Sequence, residues 1–171
     1  MDMNPSLIIH YFKTKEALVF GLIEYILDRY KNLYVARKKE EQTSIEVLHE
    51  VLDNLFSGKR NKLVDDDVFY NCFTLIFRNP RIKEKYKALH DSLRRMLADI
   101  LDRCKEDGYL FTGDTYQTAD LIFLFVEGAY YYLSMINDPE EYEEKMNLYK
   151  NQALEILDLY HHTIHNREKA G

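Results

Sequence analysis

The 171-residue sequence has few of the residues that interrupt helices or build common catalytic sites: three prolines, six glycines and two cysteines. The glycines are scattered singly, so the sequence has no glycine-rich loop for binding phosphate. Cys72 and Cys104 form no CxxC pair, which favours a reduced protein and predicts a cytoplasmic location. The longest apolar run, 121–126, is far shorter than the ~20 residues that span a bilayer. We therefore expect neither a membrane anchor nor a signal peptide.

Apolar and charged residues are abundant, at 46% and 30% of the chain. This composition is typical of a soluble globular domain and excludes a disordered or collagen-like chain. A chain of this length buries enough surface to fold without disulfides or a structural metal. The net charge of -6 at pH 7 does not indicate general attraction to DNA, although it is compatible with a local basic patch.

Apolar residues recur at steps of three and four along most of the chain, which predicts helices. Each proline follows an Asn or Asp, a pair typical of helix starts because the side chain accepts from free backbone amides. Thr14, Thr43 and Asp114 predict three further starts, and the single glycines Gly58, Gly108 and Gly113 predict helix ends or loops. The sequence therefore predicts an all-α fold with helices at residues 14–39, 44–57, 65–78, 80–107, 115–137 and 139–166.

The predicted helix at 115–137 is apolar on nearly every side, so neighbours must cover more than one of its faces. Gly128 within it costs ~1 kcal/mol relative to alanine, which indicates either close approach of another helix or room for a ligand. Gly21, in the first long helix, admits the same two interpretations. The last two helices carry more apolar surface than a single small domain easily covers.

The N-terminal segment carries the one specific motif. Residues 4–18, NPSLIIHYFKTKEAL, predict a short helix, a tight break and the start of a long helix. This arrangement resembles the end of the recognition helix in the TetR family of bacterial transcriptional regulators. The five long helices that follow fit that family's effector-binding and dimerisation domain in number and order. The resemblance implies a partial helix-turn-helix head at residues 1–14 and an effector-binding and dimerisation domain at residues 15–171.

The resemblance also implies which residues contact DNA. The short helix would lie in the major groove, and the free amides that begin the next helix suit a phosphate. The implied base contacts are Asn4, Ser6 and Leu7, and the implied phosphate contacts are His10, Tyr11 and Lys15. Without the resemblance, Lys13 and Lys15 would be interpreted as solvated charges.

The family has two further helices before the recognition helix, whereas only residues 1–3 precede it here. A recognition helix needs its partner helix to hold it at the groove, and Leu7, Ile8 and Ile9 would otherwise be exposed. We therefore expect operator DNA to be a partner only if the missing helices exist, and the chain as written not to bind it with useful specificity. Two alternatives stay open: the sequence is part of a longer regulator, or it is a relative that senses a ligand without binding DNA.

The resemblance further implies an effector cavity between the middle helices, for a small and mostly apolar molecule. The sequence is rich in aromatic residues, with fourteen tyrosines and nine phenylalanines, and a tyrosine offers both apolar surface and a hydroxyl. Most aromatic stripes at helical spacing simply pack in the core. The candidates for lining the cavity are Tyr70, Phe73, Phe77, Tyr86, His90, Phe125, Tyr130 and Tyr131.

In the family the last two helices pair with those of a second copy, which predicts a homodimer with twofold contacts here. The implied function is a ligand-responsive transcriptional regulator, a repressor that its effector releases from operator DNA. The alternative is a helical sensor or interaction protein of the same family that does not bind DNA.

Catalytic and metal-binding motifs are weak. His161, His162 and His165 form HHxxH, but no acidic residue is spaced to complete a zinc site. His49 begins an HExxH-like sequence in which Asp53 occupies the place of the second histidine. The cysteines have no partner that would make them nucleophiles. We expect no enzyme activity, no catalytic residue, no metal and no cofactor.

Overall fold

The computed structural model describes residues 14–32, 42–57, 66–109 and 113–168, without the side chains of Lys15, Tyr30, 66–69 and 158–168. Within these ranges the chain is helical and contains no strand, so the all-α prediction is confirmed. The helices are α1 (Lys15–Lys31), α2 (Ser44–Leu55), α3 (Asp66–Phe73), α4 (Pro80–Glu106), α5 (Thr115–Leu133) and α6 (Pro139–Glu168), with a 3₁₀ turn at Thr74–Phe77 between α3 and α4.

The predicted helix starts are confirmed wherever they lie in the described residues. Each start has a side chain that accepts a hydrogen bond from a free backbone amide of the first turn. At α2, Thr43 also donates its own backbone N–H to Glu46 Oε2 at 2.8 Å, which completes a capping box. The other acceptors are Thr14 at α1, Asn79 at α4, Asp114 at α5 and Asp138 at α6. The start predicted at Asn4 lies outside the described residues.

Two helix ends differ from the prediction. The segment predicted as one helix over 65–78 is α-helical only to Phe73 and then tightens into the 3₁₀ turn, where Thr74 Oγ1 donates to the carbonyl of Asn71. The helix predicted to reach residue 137 ends at Leu133, because the amides of Met135 and Ile136 bond three residues back instead of four. Periodicity alone does not report such changes, since the apolar side chains continue past the end of the regular helix.

Gly108 ends α4 in the way its position predicts. Its φ of +86° lies in the left-handed region that favours glycine. Its amide donates to the Lys105 carbonyl at 3.1 Å, and the Tyr109 amide donates to the Cys104 carbonyl at 2.9 Å. These two bonds form a Schellman motif, which satisfies carbonyls that the end of the helix leaves free.

The chain forms two compact units, and α4 contributes to both. The first unit contains α1, α3, the 3₁₀ turn and α4 as far as His90. Its core is formed by Ile23, Ile26, Cys72, Ile82 and Tyr86. The predicted boundary between residues 14 and 15 depends on residues outside the described ranges and stays a prediction.

The second unit contains α2, the part of α4 from Asp91, α5 and α6. Each of these helices contributes an apolar face to the buried interior, as the three- and four-residue spacing predicts. The fully buried side chains include Leu48 and Val51 of α2, Leu97 and Leu101 of α4, and Ile122 and Phe123 of α5. None of the described helices is long and apolar enough to cross a membrane.

Candidate functional site

The predicted DNA-contacting residues fall almost entirely outside the described part of the chain. Asn4, Ser6, Leu7, His10 and Tyr11 lie there, and Lys15 is the first residue of α1 with an undescribed side chain. Thr14, directly before it, caps the helix by accepting from the Ala17 amide at 3.0 Å. The helix start is therefore in place, while the DNA contacts stay predictions.

In the first unit, four of the predicted effector-lining residues form one continuous aromatic row. The rings of Phe77 and Phe73 meet edge to face with centroids 6.4 Å apart. Phe73 meets Tyr86 in the same way at 5.7 Å, and Tyr86 meets His90 at 6.3 Å. This geometry is the one that aromatic quadrupoles favour. Tyr70, the fifth candidate of this unit, is partly buried on α3.

The aromatic row runs from solvent into the core. Phe77 is 80% exposed, whereas Tyr86 is 3% exposed and Cys72 is also buried. Burial raises the pKa of the Tyr86 hydroxyl well above its usual value, and the nearby Cys72 adds to the effect. Burial likewise raises the pKa of the Cys72 thiol. Both groups are therefore neutral at physiological pH, and the row offers apolar and aromatic surface instead of a nucleophile.

The three remaining candidates lie on α5 in the second unit. Phe125 packs edge to face against Tyr149 of α6 with ring centroids 6.1 Å apart. Tyr130 donates its hydroxyl to the carbonyl of Leu55, at the end of α2, at 2.5 Å. Tyr131 is 61% exposed. Phe125 and Tyr130 therefore join α5 to its neighbours, while Tyr131 makes a large aromatic surface available.

Three charged residues of the second unit also belong to the candidate site, and the sequence analysis did not select them. Arg94 of α4 donates from Nε to Asp120 Oδ1 of α5 at 2.5 Å. The same guanidinium lies over the Phe123 ring, 4.2 Å from its centroid. Glu127, two turns after Asp120, is partly buried. Burial raises the pKa of its carboxyl from the usual 4.5 to about 7, against the opposing effect of Arg94.

A sequence signal for this cluster existed. Asp120 and Glu127 are the only charged residues in the nineteen of α5, and they stand seven residues apart. That spacing puts two carboxylates on one side of an otherwise apolar helix, where a charge needs a partner. The partner itself could not be predicted, because Arg94 is one of many basic residues along α4.

One face of α5 is apolar and uncovered within the chain. Four of its side chains are between 43% and 61% exposed, namely Leu121, Leu124, Tyr131 and Tyr132, and Met135 just after the helix is 54% exposed. Together with Gly128, these residues define what we call the open stripe. Its positions 121, 124, 128, 131 and 135 alternate steps of three and four, the spacing of a helix–helix seam. Leu148 of α6 is a further exposed apolar residue, at 43%.

Gly128 lies at the middle of the open stripe. A Cβ built on it would meet no atom of the described residues within 4 Å. Close approach by another helix of the same chain, one of the two interpretations of this glycine, is therefore wrong for the described structure. The space over Gly128 is open to a ligand or a second copy of the chain.

The described residues contain no group of three or more His, Cys, Asp or Glu side chains that could hold a metal ion. The side chains of His161, His162 and His165 lie outside the described part. His49 is exposed on α2, and the HExx sequence that it begins belongs to the capped helix start.

Comparison with known proteins relates this architecture to one family. The family described as "Tetracyclin repressor-like, C-terminal domain" matches residues 43–159, from the cap of α2 into α6. The chain is also similar to a solved TetR transcription regulator from Haloarcula marismortui ATCC 43049. The TM-score is 0.70 and the identity 16%, with 91% of this chain and 80% of that chain covered. At that identity the likeness shows the fold alone. No curated protein matches the chain significantly in sequence.

Proposed function

Since the chain belongs to the tetracycline-repressor-like family, we propose that it is a transcriptional regulator that responds to a small-molecule effector. The observation that carries the proposal is the match of the family's C-terminal domain to residues 43–159, which include the complete helices α2 to α5. The same region contains the open stripe and the charged cluster on α5, two features that the packing of the single chain does not use.

The proposed regulator acts as a homodimer through α5 and α6. The open stripe supports this, because a row of leucine, tyrosine and methionine side chains at seam spacing is costly to leave in water. Two copies related by a twofold axis would place the same stripe against itself, so each exposed side chain gains an apolar neighbour. Leu148 of α6 extends the apolar surface beyond α5.

The proposed effector is a small molecule with a mostly apolar body. The aromatic row of the first unit and the aromatic residues of α5 support this, since aromatic side chains bind apolar ligands and orient them through a few polar groups. The eight predicted lining residues keep this role as a proposal.

The proposed activity is repression that the effector relieves. Asn4, Ser6, Leu7, His10, Tyr11 and Lys15 would contact operator DNA. An effector can release DNA only if it binds the non-DNA-binding geometry more tightly, and operator DNA then weakens effector binding by the same factor. The allosteric mechanism is therefore a difference of affinities that titration can measure.

Chromatin immunoprecipitation of the tagged full-length protein from its own cell tests this function. We expect enrichment at sites with two half-sites about one helical turn apart, and altered expression of the adjoining gene when the protein is deleted. Binding of an enriched fragment in vitro should weaken steeply with salt. Absence of both enrichment and an expression change would contradict the regulator and favour the sensor that does not bind DNA.

A further inference from the structure

The two carboxylates of α5 have different surroundings. Asp120 is matched by Arg94, which also stacks on Phe123. Glu127 accepts no hydrogen bond and forms no ion pair within the described residues. The nearest source of positive charge is the same Arg94, which is already engaged by Asp120 and the Phe123 ring. The second unit therefore contains one partly buried carboxyl without a charge partner of its own.

An unpartnered carboxylate in partly apolar surroundings is costly, and protonation lowers the cost. The raised pKa of Glu127 shows that burial outweighs the attraction of Arg94. A cation brought to this carboxylate from outside the chain would supply the missing partner. An anion would meet the negative charges of both Glu127 and Asp120.

The neighbours of Glu127 on α5 suit the apolar body of such a cation. Residues three and four positions away on a helix lie beside it, and here they are Phe123 and Leu124 before it and Tyr130 and Tyr131 after it. Leu124 and Tyr131 are more than half exposed, so one side of this surface is accessible. Aromatic faces also attract cations directly.

Glu127 lies at the border between the buried face of α5 and the open stripe. At about 100° per residue it is roughly 80° from the middle of the stripe and beside Asp120. A ligand there would therefore lie next to the proposed dimer contact, not in its centre. This placement gives a bound molecule a direct way to change how the two copies meet.

We propose that Glu127 is the anionic anchor of an effector site for an amphipathic cation, an amine or quaternary ammonium group on an apolar or aromatic body. The proposal rests on the proposed function and specifies the chemical class of its effector. Arg94 holds Asp120 and thereby leaves Glu127 as the carboxylate that pairs with the ligand.

Calorimetric titration of the full-length protein with benzyltrimethylammonium tests the site, because this probe carries a permanent charge and one aromatic ring. Phenylacetate, an anion of similar size, is the charge-reversed probe. We expect the cation to bind and the anion not to bind. Glu127→Gln should weaken cation binding at least tenfold, whereas Glu144→Gln, at an exposed site on α6, should leave it unchanged.

Circular dichroism and the dimer dissociation constant of Glu127→Gln are measured alongside. Glu127→Asp, which keeps the charge but shortens the reach, should bind the cation more weakly than the wild-type protein and more tightly than Glu127→Gln. Three results would overturn the proposal: no cation binding to the wild-type protein, equal affinity for Glu127→Gln, or a substitution that weakens the dimer while cation affinity is unchanged. The last result would assign Glu127 to a cation of the second copy.

Failure of this site and failure of the proposed function are separable. Cation binding that depends on Glu127 but has no effect on an enriched DNA fragment keeps the site and contradicts the ligand-responsive regulator. DNA binding that a neutral or anionic molecule relieves, without cation binding, keeps the regulator and overturns the site.

Discussion

The two faces of α5 have nearly the same composition and opposite surroundings. Ile122, Val126 and Leu133 are at most 5% exposed, packed in the interior of the second unit. Leu121 and Leu124, on the other side of the helix, are 43% and 54% exposed. Hydrophobicity alone does not distinguish them, and what differs is whether the chain itself supplies a neighbour. An apolar helix can therefore combine a folding surface with an association surface.

The polar groups of α5 mark the border between those two faces. Asp120 and Glu127 lie on one side of the helix, and Arg94 reaches the first of them from α4. An apolar helix with charges along one border can bury one face, leave the other for a partner and keep an ionisable group between them. The predictions below test this division of α5, from the largest expected effect to the smallest.

The neighbouring substitutions Ile122→Ala and Leu121→Ala compare the two faces directly. Ile122 is fully buried, so its truncation should lower the free energy of unfolding by about 2–4 kcal/mol through lost burial and a cavity. Leu121→Ala should cost the isolated chain well under about 1 kcal/mol. Denaturant unfolding at several protein concentrations measures both effects. A comparable, concentration-independent loss for Leu121→Ala would show that the open stripe is covered within the chain.

Leu124→Glu tests the association surface. A carboxylate in the stripe would face its own symmetry mate across a twofold contact, so we expect at least a hundredfold weaker dimer, about 2.7 kcal/mol. Sedimentation equilibrium measures the change. Tyr116→Glu is the control, because Tyr116 is 44% exposed on the same helix but lies roughly 100° away from the stripe. If both variants dimerise like the wild-type protein, α5 does not form the interface.

Glu127 makes the stability of the second unit depend on pH. With its pKa raised to about 7, the folded chain binds more protons than the unfolded chain between pH 4.5 and 7. This contribution to the free energy of unfolding is therefore full below pH 4.5 and is lost as the pH rises to 7. Its size is at most about 3 kcal/mol at about 1.36 kcal/mol per unit of pKa.

The Glu127→Gln variant isolates that contribution. Arg94 stays charged over this pH range, and Asp120 stays paired with it, so the difference between the wild-type and variant curves reports Glu127. Urea unfolding at several pH values should show a slope for the wild-type protein that the variant lacks. Parallel curves would mean that the carboxyl is solvated in both states.

Local signals in the sequence predicted the helices and most of their ends. Thr43, Asn79, Asp114 and Asp138 each satisfy amides within three residues, and Gly108 needs only its own φ, so these features do not depend on the rest of the fold. The early end of α5 could not be predicted, because Met135 and Ile136 continue the apolar pattern while their amides leave the helical bonding.

The candidate site was predictable only in part. The aromatic row brings together Phe73, Phe77, Tyr86 and His90, all of which the sequence analysis selected as aromatic residues at helical spacing. The pairing of Arg94 with Asp120 is a contact between two helices, so it depends on tertiary packing that one sequence does not report. Glu127 is notable only once Asp120 is known to occupy the available arginine.

Gly128→Ala gives the smallest effect and the sharpest test of what lies over the stripe. An alanine in a helix interior is worth about 1 kcal/mol over glycine, and a Cβ here meets nothing within 4 Å in the described chain. The variant should therefore raise the free energy of unfolding of the dissociated chain by about that amount. If two α5 helices cross closely at Gly128, the same methyl group must also weaken the dimer. Gly108→Ala is the control, because its φ of +86° makes alanine destabilising without changing the stripe. A variant that stabilises the chain and leaves the dimer dissociation constant unchanged would move the helix crossing away from Gly128 and leave that space to a ligand.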